Sequence, residues 1–435
     1  MKRIILILTV CGLALAQESK LTLKECVLTA FQNSIELKIS KESLKQAELD
    51  KTMNFAAFYP AVNIRLSDKI LGFDAAGRDI SFLTLTPDTY SASLDVNYNL
   101  YNMYKDQDRY RYSQKKYEEA QLALALKKQE ISYIVITAYY EVLTSEKNLQ
   151  IRAQALAQKK EYFKLAESLY KSGIKSRSDY LNAQIQIKKS EISLSDAEVS
   201  LKISKAALNS LLGLAPDKEL ALAEDNKYTA PVMTGKMLFE KMFTGNFDWK
   251  KLKLQYDYTV LLTALAERDL LPVLSVDASY SLALDKYAGS SSSWTHSGRL
   301  DQNSNWGLSA SLSYPLFDGG VNYAKYKADK SSLEIAGLNV EKLKRDLAEE
   351  IYSAFIDFNR IYGELELYKL QVDLAKESLA LIKDRYQSGI SSFLDLIDAE
   401  LNYTTAELGY YQAIYDYKLK GYAIDKLCGE KLFWE

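Results

Sequence analysis

Ser91-Ala-Ser-Leu-Asp-Val-Asn-Tyr-Asn-Leu100 is the stretch from which the fold of this chain can be read. Ala92, Leu94, Val96, Tyr98 and Leu100 alternate without a break against Ser91, Ser93, Asp95, Asn97 and Asn99. A period of two puts every apolar residue on one face of a strand. Three further segments obey the same rule. Leu274, Val276, Ala278, Tyr280 and Leu282 alternate with Ser275, Asp277, Ser279 and Ser281, and Leu308, Ala310, Leu312, Tyr314 and Leu316 with Ser309, Ser311 and Ser313. Val62, Ile64 and Leu66 alternate with Asn63, Arg65 and Ser67, and the polar segments 68–89 and 285–305 read as loops. Half-buried sheet on a core is the ordinary meaning of such alternation. Here the neighbouring helical segments are too long to fold back over four strands. About ten residues is also what a tilted strand needs to cross a bilayer, and apolar-out with Ser, Asn and Asp inward suits a water-filled barrel. Four strands cannot close a wide barrel and lipid does not tolerate open edges, so several copies must pool their strands.

Outward from the strands the chain is helical. With 18 Gly and 6 Pro in 435 residues, few breakers interrupt it. Ala336, Val340, Leu343, Leu347, Ile351, Ala354, Phe358 and Ile361, continuing to Tyr386, keep coiled-coil spacing with one stutter near Ile351. The Pro-free run 321–386 would span roughly 100 Å at the helical rise. Its counterpart 105–170 keeps one seven-residue track, Val135, Val142, Leu149, Leu156, Phe163 and Tyr170. The other track carries Lys127, Arg152 and Lys159, which either snorkel or look into water. Shorter helices are expected over 22–58, 179–212, 249–269 and 393–426.

The chain is written twice. Tyr170, Ser172, Gly173, Ile174, Ser176, Asp179 and Ala183 return as Tyr386, Ser388, Gly389, Ile390, Ser392, Asp395 and Ala399, each displaced by 216 positions. Such a period lies far outside that of solenoids and marks duplication of a large unit. The expected organisation has a first repeat over 17–213, with a helix, a β-hairpin near 60–101, a long helix near 105–170 and a helix near 177–213. A linker or equatorial segment follows over 214–247. The second repeat, 248–428, has a helix, a hairpin near 272–317, a long helix near 320–386 and a helix near 392–427, and 429–435 is a tail.

Residues 1–16 read as a secretory signal peptide: Lys2 and Arg3, an apolar run, then Ala14-Leu15-Ala16. Cys26 and Cys428 would remain in an exported chain, either disulfide-bonded or singly buried. With 55 basic against 57 acidic residues, electrostatic nucleic-acid binding is not expected. One His, no metal-ligand spacing, no G-x-S-x-G and no P-loop argue against an enzyme or a cofactor. Tyr59, Tyr90, Tyr98, Tyr101, Tyr280, Tyr287 and Tyr314 cluster near expected strand ends, where an aromatic girdle would lie.

At this point the chain resembles the TolC-type outer-membrane efflux proteins. The resemblance covers essentially all of 17–435. It rests on the duplicated plan, on Tyr314-Pro-Leu-Phe-Asp-Gly-Gly320 where strand passes into helix, on Tyr386-Gln-Ser-Gly-Ile-Ser-Ser-Phe-Leu-Asp-Leu-Ile-Asp-Ala399, and on Leu211-Leu-Gly-Leu-Ala-Pro216. It implies a mixed, mostly α fold in which a homotrimer forms a 12-stranded transmembrane β-barrel, four strands per chain, continued by a helical barrel in the periplasm. It also implies a passive outer-membrane exit duct for efflux or type I secretion. The implied partners are a periplasmic adaptor, an inner-membrane transporter and outer-membrane lipid, with no nucleic acid. The other reading open to the sequence is an exported periplasmic coiled-coil scaffold without channel activity.

Site residues follow from the same resemblance. Adaptor docking is implied at the helical tips, Ser172, Gly173, Ile174 and Ser176 in one repeat and Ser388, Gly389, Ile390, Ser391 and Ser392 in the other. Asp395 and Asp398, on one helix face, would form a pore constriction able to bind a blocking divalent cation, while a solvated polar face is the plainer account of them. Asp179 and Tyr386 match polar links that close the tip. Two departures stand out. Ser391 occupies the position of an Arg in the best-known member's latch, and Asn102, Met103, Tyr104 and Lys105 stand where Asp-Gly-Gly follows Leu316 in the second repeat.

Overall fold

Both repeats form the same succession of four helices and two long strands, and the first adds two short strands. The computed structural model describes residues 20–69, 72–74, 84–86, 89–230, 234–286 and 300–434. The expected signal peptide and Tyr287 lie outside these. The first repeat is α1 (Leu23–Asn33), α2 (Ile35–Ala56), β1 (Ala61–Lys69), the short strands β2 (Gly72–Asp74) and β3 (Thr84–Thr86), β4 (Thr89–Tyr101), α3 (Lys105–Lys171) and α4 (Arg177–Leu211). The second is α5 (Gly235–Gly245), α6 (Phe247–Arg268), β5 (Val273–Lys286), β6 (Leu300–Ser313), α7 (Val321–Gln387) and α8 (Phe393–Leu427). Helix lengths are duplicated residue for residue. α1 and α5 have 11 residues, α2 and α6 have 22, α3 and α7 have 67, and α4 and α8 have 35.

Two elements differ from the sequence reading. The helix expected over 22–58 is two helices, and a helix, α5, lies inside the stretch read as linker. Each break has a polar cause. Asn33 donates from Nδ2 to the Leu212 carbonyl at 2.6 Å, and Ser34 Oγ accepts from the Leu37 N–H at 3.2 Å, capping α2. In the second repeat Asn246 donates to the Leu427 carbonyl at 2.9 Å and accepts from the Trp249 N–H at 2.8 Å. The Leu212 carbonyl is 179 positions from Asn33, so the apolar periodicity ran through the first break, whereas the second coincides with the boundary expected before the helix over 249–269.

Four strands form one antiparallel sheet in the order β1-β4-β5-β6. The register stacks like on like across it. Ile64 pairs with Leu94, Leu94 with Tyr280 and Tyr280 with Trp306, and the row Val62, Val96, Ala278, Leu308 lies beside it. Between them runs the polar row Asn63, Asp95, Ser279, Gly307. Through these rows one face is apolar and the other polar on all four strands, although Ser304 in β6 joins the apolar side opposite Leu282. Tyr280 sits inside an apolar row instead of at a strand end. The strands also extend into the segments read as loops, because ladder hydrogen bonds continue where the apolar alternation has stopped.

The long helices end in matching turns but begin differently. Before α7, Gly319 and Gly320 have φ of 75° and 85°, and the Asp318 carboxylate accepts from the Gly320 and Asn322 N–H groups, both at 2.9 Å. Before α3, Met103 and Tyr104 adopt the same left-handed turn, with φ of 56° and 64°. A side chain in this region costs roughly 1–2 kcal/mol per residue. Arg268 offsets part of it, donating to the Tyr104 carbonyl at 3.0 Å, lying 5.8 Å from the Tyr104 ring centroid and pairing with the buried Asp108 carboxylate. Met103→Gly should therefore stabilise the fold by about 1 kcal/mol, read as a rise in the thermal midpoint. Tyr104→Gly should gain less, because it also loses the Arg268 contact.

The described chain falls into two compact units, one drawn from Met1–Lys41, Leu122–Lys250 and Leu343–Glu435 and the other from Glu42–Gln121 and Lys251–Lys342. Each takes residues from both repeats. The first holds the main core, built on Val27, Val135, Ile136, Tyr139, Leu208 and Leu365. Tyrosines tie the segment after α4 to this core. Tyr139 donates to the Ala223 carbonyl at 2.6 Å, Tyr140 to Asp225 at 2.9 Å, Tyr415 to Asn226 at 3.0 Å and Tyr417 to the Thr229 carbonyl at 2.7 Å. An apolar ring with a hydroxyl at its end can fill a helix interface and still satisfy exposed backbone. Cys26 and Cys428 are unpaired, and each is buried in a different apolar cluster. Burial pushes the Cys26 thiol up to about 12 and the Cys428 thiol up to about 11.

Candidate functional site: the paired helical tips

Each long helix stops at a glycine whose left-handed backbone reverses the chain. Gly173 has φ of 72° and Gly389 of 78°. The Gly N–H groups donate to the Tyr170 and Tyr386 carbonyls, both at 3.0 Å, and the Ile174 and Ile390 N–H groups reach back to Leu169 and Arg385, both at 2.9 Å. Both turns thus satisfy the free carbonyls of a helix end in the same way. Ile174 and Ile390 follow, exposed. Ser176 and Ser392 then cap α4 and α8, their hydroxyls accepting from the Asp179 and Asp395 N–H groups at 3.2 and 3.1 Å. The structure brings the two tips together, since a Cβ added at Gly389 would lie 3.7 Å from Ile174 Cγ2.

Asp395 and Asp398 are both exposed on the first turns of α8. Asp395 also completes a capping box, its carboxylate accepting from the Ser392 N–H at 2.8 Å. That backbone hydrogen bond and the Ser392 hydroxyl hold its carboxyl below the usual range, helped by the charges of Arg385 and Lys175. Part of the role of Asp395 is therefore structural. Among the described residues no group of three or more His, Cys, Asp or Glu could hold a metal ion, so a cation site using Asp395 and Asp398 would need carboxylates from other copies.

Asp179 and Tyr386 face each other electrostatically but share no hydrogen bond. Tyr386 is fully buried, its hydroxyl has no partner, and burial together with the Asp179 charge pushes it up to about 12. The unexpected groups lie beneath the tip. Glu400 is 1% exposed, and neither carboxylate oxygen has a hydrogen-bond partner. The Lys159 ammonium lies 3.9 Å away, and burial raises the Glu400 carboxyl to about 7 against that attraction. Lys159 thus points neither to water nor along a surface, as the sequence had allowed, but at a buried acid. A signal for Glu400 was present: it follows Phe393, Leu396 and Ile397 at helical spacing, on the buried stripe of α8. Lys175 carried no such signal. It donates to the Ser391 carbonyl at 2.8 Å and the Gly389 carbonyl at 3.4 Å, contacts made across 216 and 214 positions.

Two apolar faces of the helices have no partner among the described residues. On α4, Leu181, Ile185, Ile192, Val199 and Ile203 repeat at coiled-coil spacing and are exposed. Between α7 and α8 runs a groove of about 610 Å³ lined by Leu367, Leu370, Leu374 and Leu401. On the sheet, the edge strands expose Ile64 at 75% and Trp306 at 77%. Among the described residues no helix is long and apolar enough to cross a membrane.

Comparison with known proteins agrees with this architecture. Residues 28–214 and 262–430 match the outer membrane efflux protein family. The chain is 24% identical to outer membrane protein TolC of Vibrio cholerae over 376 residues, 85% of this chain and 81% of that protein. It is 23% identical to TolC of Escherichia coli over 440 residues, 99% of this chain and 87% of that protein. The solved outer-membrane channel OprN superposes with a TM-score of 0.82 at 18% identity, over 95% of this chain and 91% of that one. The duplicated helices, the four-stranded sheet and the family match over both repeats together place the chain in the outer membrane efflux protein family, as a channel protein of the outer membrane.

Proposed function

We propose that three copies of this chain close a transmembrane β-barrel, four strands from each making twelve, and continue it as a helical barrel in the periplasm. The assembly is a passive exit duct of a tripartite efflux or type I secretion system. It opens at the periplasmic tips and is energised by an inner-membrane transporter through a periplasmic adaptor docked on those tips. One observation carries the reading: a sheet with one continuous apolar face and one polar face that ends in two unpaired edges, β1 and β6. In lipid such edges must be paired, and copies joined edge to edge around an axis leave none. The unpartnered α4 stripe and the α7–α8 groove support the same head-to-tail association, since two different complementary patches generate a ring when the rotation closes.

Purified protein in detergent should have the mass of three chains and conduct ions in planar bilayers. A folded monomer stable without detergent would remove the duct and favour the periplasmic scaffold. For the constriction, Asp398→Ala is the cleaner variant because Asp395 also caps its helix. Loss of carboxylates from three copies should lower cation selectivity and weaken block by divalent cations, by roughly tenfold in blocking concentration. Unchanged selectivity and block would leave Asp398 a solvated surface residue.

A further inference from the structure

The resemblance places at Ser391 an Arg that the best-known relative uses in its latch, yet here the two tips of one copy are joined without it. Lys175 lies on the turn between α3 and α4, and its ammonium donates to two carbonyls of the turn between α7 and α8, Ser391 at 2.8 Å and Gly389 at 3.4 Å. The same ammonium is 5.4 Å from the ring centroid of Tyr386, the buried residue that closes α7. Three features make this more than a surface contact. The acceptors follow the last turn of α7, so the cation sits at the negative end of that helix. Ser391 is itself buried, and its hydroxyl donates to the Ile382 carbonyl at 3.3 Å, fixing the acceptor. Lys175 and Ser391 also occupy equivalent positions of the two repeats, 216 apart. The second repeat carries a small Ser at the position equivalent to Lys175, so no second cation faces the first.

We propose that Lys175 is the positioning residue that clamps the first tip of each chain onto the second, so that its release lets the α7–α8 hairpin move apart from the α3–α4 hairpin. The clamp rests on the reading of the protein as a duct opened at its tips. It differs from a latch built on carboxylates, because its acceptors are main-chain carbonyls that no side-chain substitution on the second tip removes. Hydrogen bonds from a charged donor are the stronger class, and losing them should shift the closed-to-open ratio roughly tenfold or more.

The test uses the full-length protein, inserted in planar bilayers for conductance and in detergent for amide exchange. Lys175→Met should raise open-state occupancy roughly tenfold and speed exchange of the Ile390 and Ser391 amides, with the thermal midpoint nearly unchanged. Lys175→Arg should restore both, since it keeps the cation. A Lys175→Cys, Ser391→Cys double variant should close the duct on oxidation and reopen it on reduction, which would show that opening requires the two tips to part. If Lys175→Met does not fold, Lys175→Gln, which keeps a polar side chain of similar length without the charge, takes its place with the same expected and overturning results. Wild-type gating and exchange in Lys175→Met, or oxidation without effect on a cross-linked double variant, would overturn the clamp. Faster exchange in Lys175→Met, in a protein that never conducts in any form, would uphold the clamp and remove the duct.

Discussion

Gly245→Ala is expected to detach the C-terminal end of α8 from α5 and lower the thermal midpoint by roughly 5 °C or more. A Cβ at Gly245 would lie 1.9 Å from the Cys428 carbonyl oxygen and 3.1 Å from its carbon. The obstacle is backbone, so no side chain can swing aside. The backbone there is also tied on several sides. Gln129 donates to the Lys426 carbonyl at 3.1 Å and the Glu430 carbonyl at 3.2 Å, and Asn246 donates to the Leu427 carbonyl at 2.9 Å. Beneath it Leu238, Met242, Ile424 and Cys428 share one apolar cluster. Moving the strand of chain by the ångström or more that a methyl needs would break these contacts together, at a cost of at least about 3 kcal/mol. Gly213→Ala supplies the comparison, because it occupies the position in the first repeat that Gly429 occupies in the second. Its Cβ would meet the Asn33 Cβ at 2.7 Å and its backbone is left-handed, with φ of 69°, so Gly213→Ala should also lower the midpoint, by less than Gly245→Ala because its approach is less close. Circular dichroism melts of the two variants settle the comparison, and a Gly245→Ala protein that melts with the wild type would mean the two backbones do not pack this closely.

Glu400 gives the second large effect, in the opposite direction. Its carboxyl stands at 4.5 in the unfolded chain and is raised to about 7 in the fold, first by burial and despite Lys159. An acid with a raised folded value contributes its full stability only below pH 4.5. As pH rises from 4.5 toward 7 the unfolded state releases its proton first, and stability falls through that window. At about 1.4 kcal/mol per pKa unit the loss by pH 8 approaches 3 kcal/mol. Glu400→Gln keeps the shape and a buried polar head but cannot ionise. Its stability should match the wild type near pH 4 and exceed it by about 2–3 kcal/mol at pH 8. Thermal midpoints measured against pH would show two curves diverging above pH 5. Parallel curves would mean that Glu400 reaches water or a partner in the assembled protein.

The family and most of the fold could be read from the residues, and the reasons are local. The four strands announced themselves by strict alternation, α7 by coiled-coil spacing and α3 by a single seven-residue track, both without Pro, and the tips by Gly173 and Gly389 standing 216 positions apart. The candidate site was legible where it repeats. Ser176 and Ser392 lie at the N-cap positions their type prefers, and Asp395 completes a capping box. What stayed hidden was set by single long-range contacts. Asn33 ends α1 where the Leu212 carbonyl, 179 positions away, is in reach.

The sequence alone therefore determined what depends on period and on turn chemistry: the duplication, the amphipathic strands, the helices about 100 Å long and the glycine tips. Only the tertiary structure decided what depends on which distant group arrives at a given point. It placed Lys159 against a buried Glu400, laid Lys175 across the other tip, let Arg268 support a left-handed Tyr104, and left Cys26 and Cys428 in separate clusters. The physical reason is one of range. Period and steric preference act within a few residues, whereas burial and hydrogen-bond partnership are properties of the space the folded chain encloses.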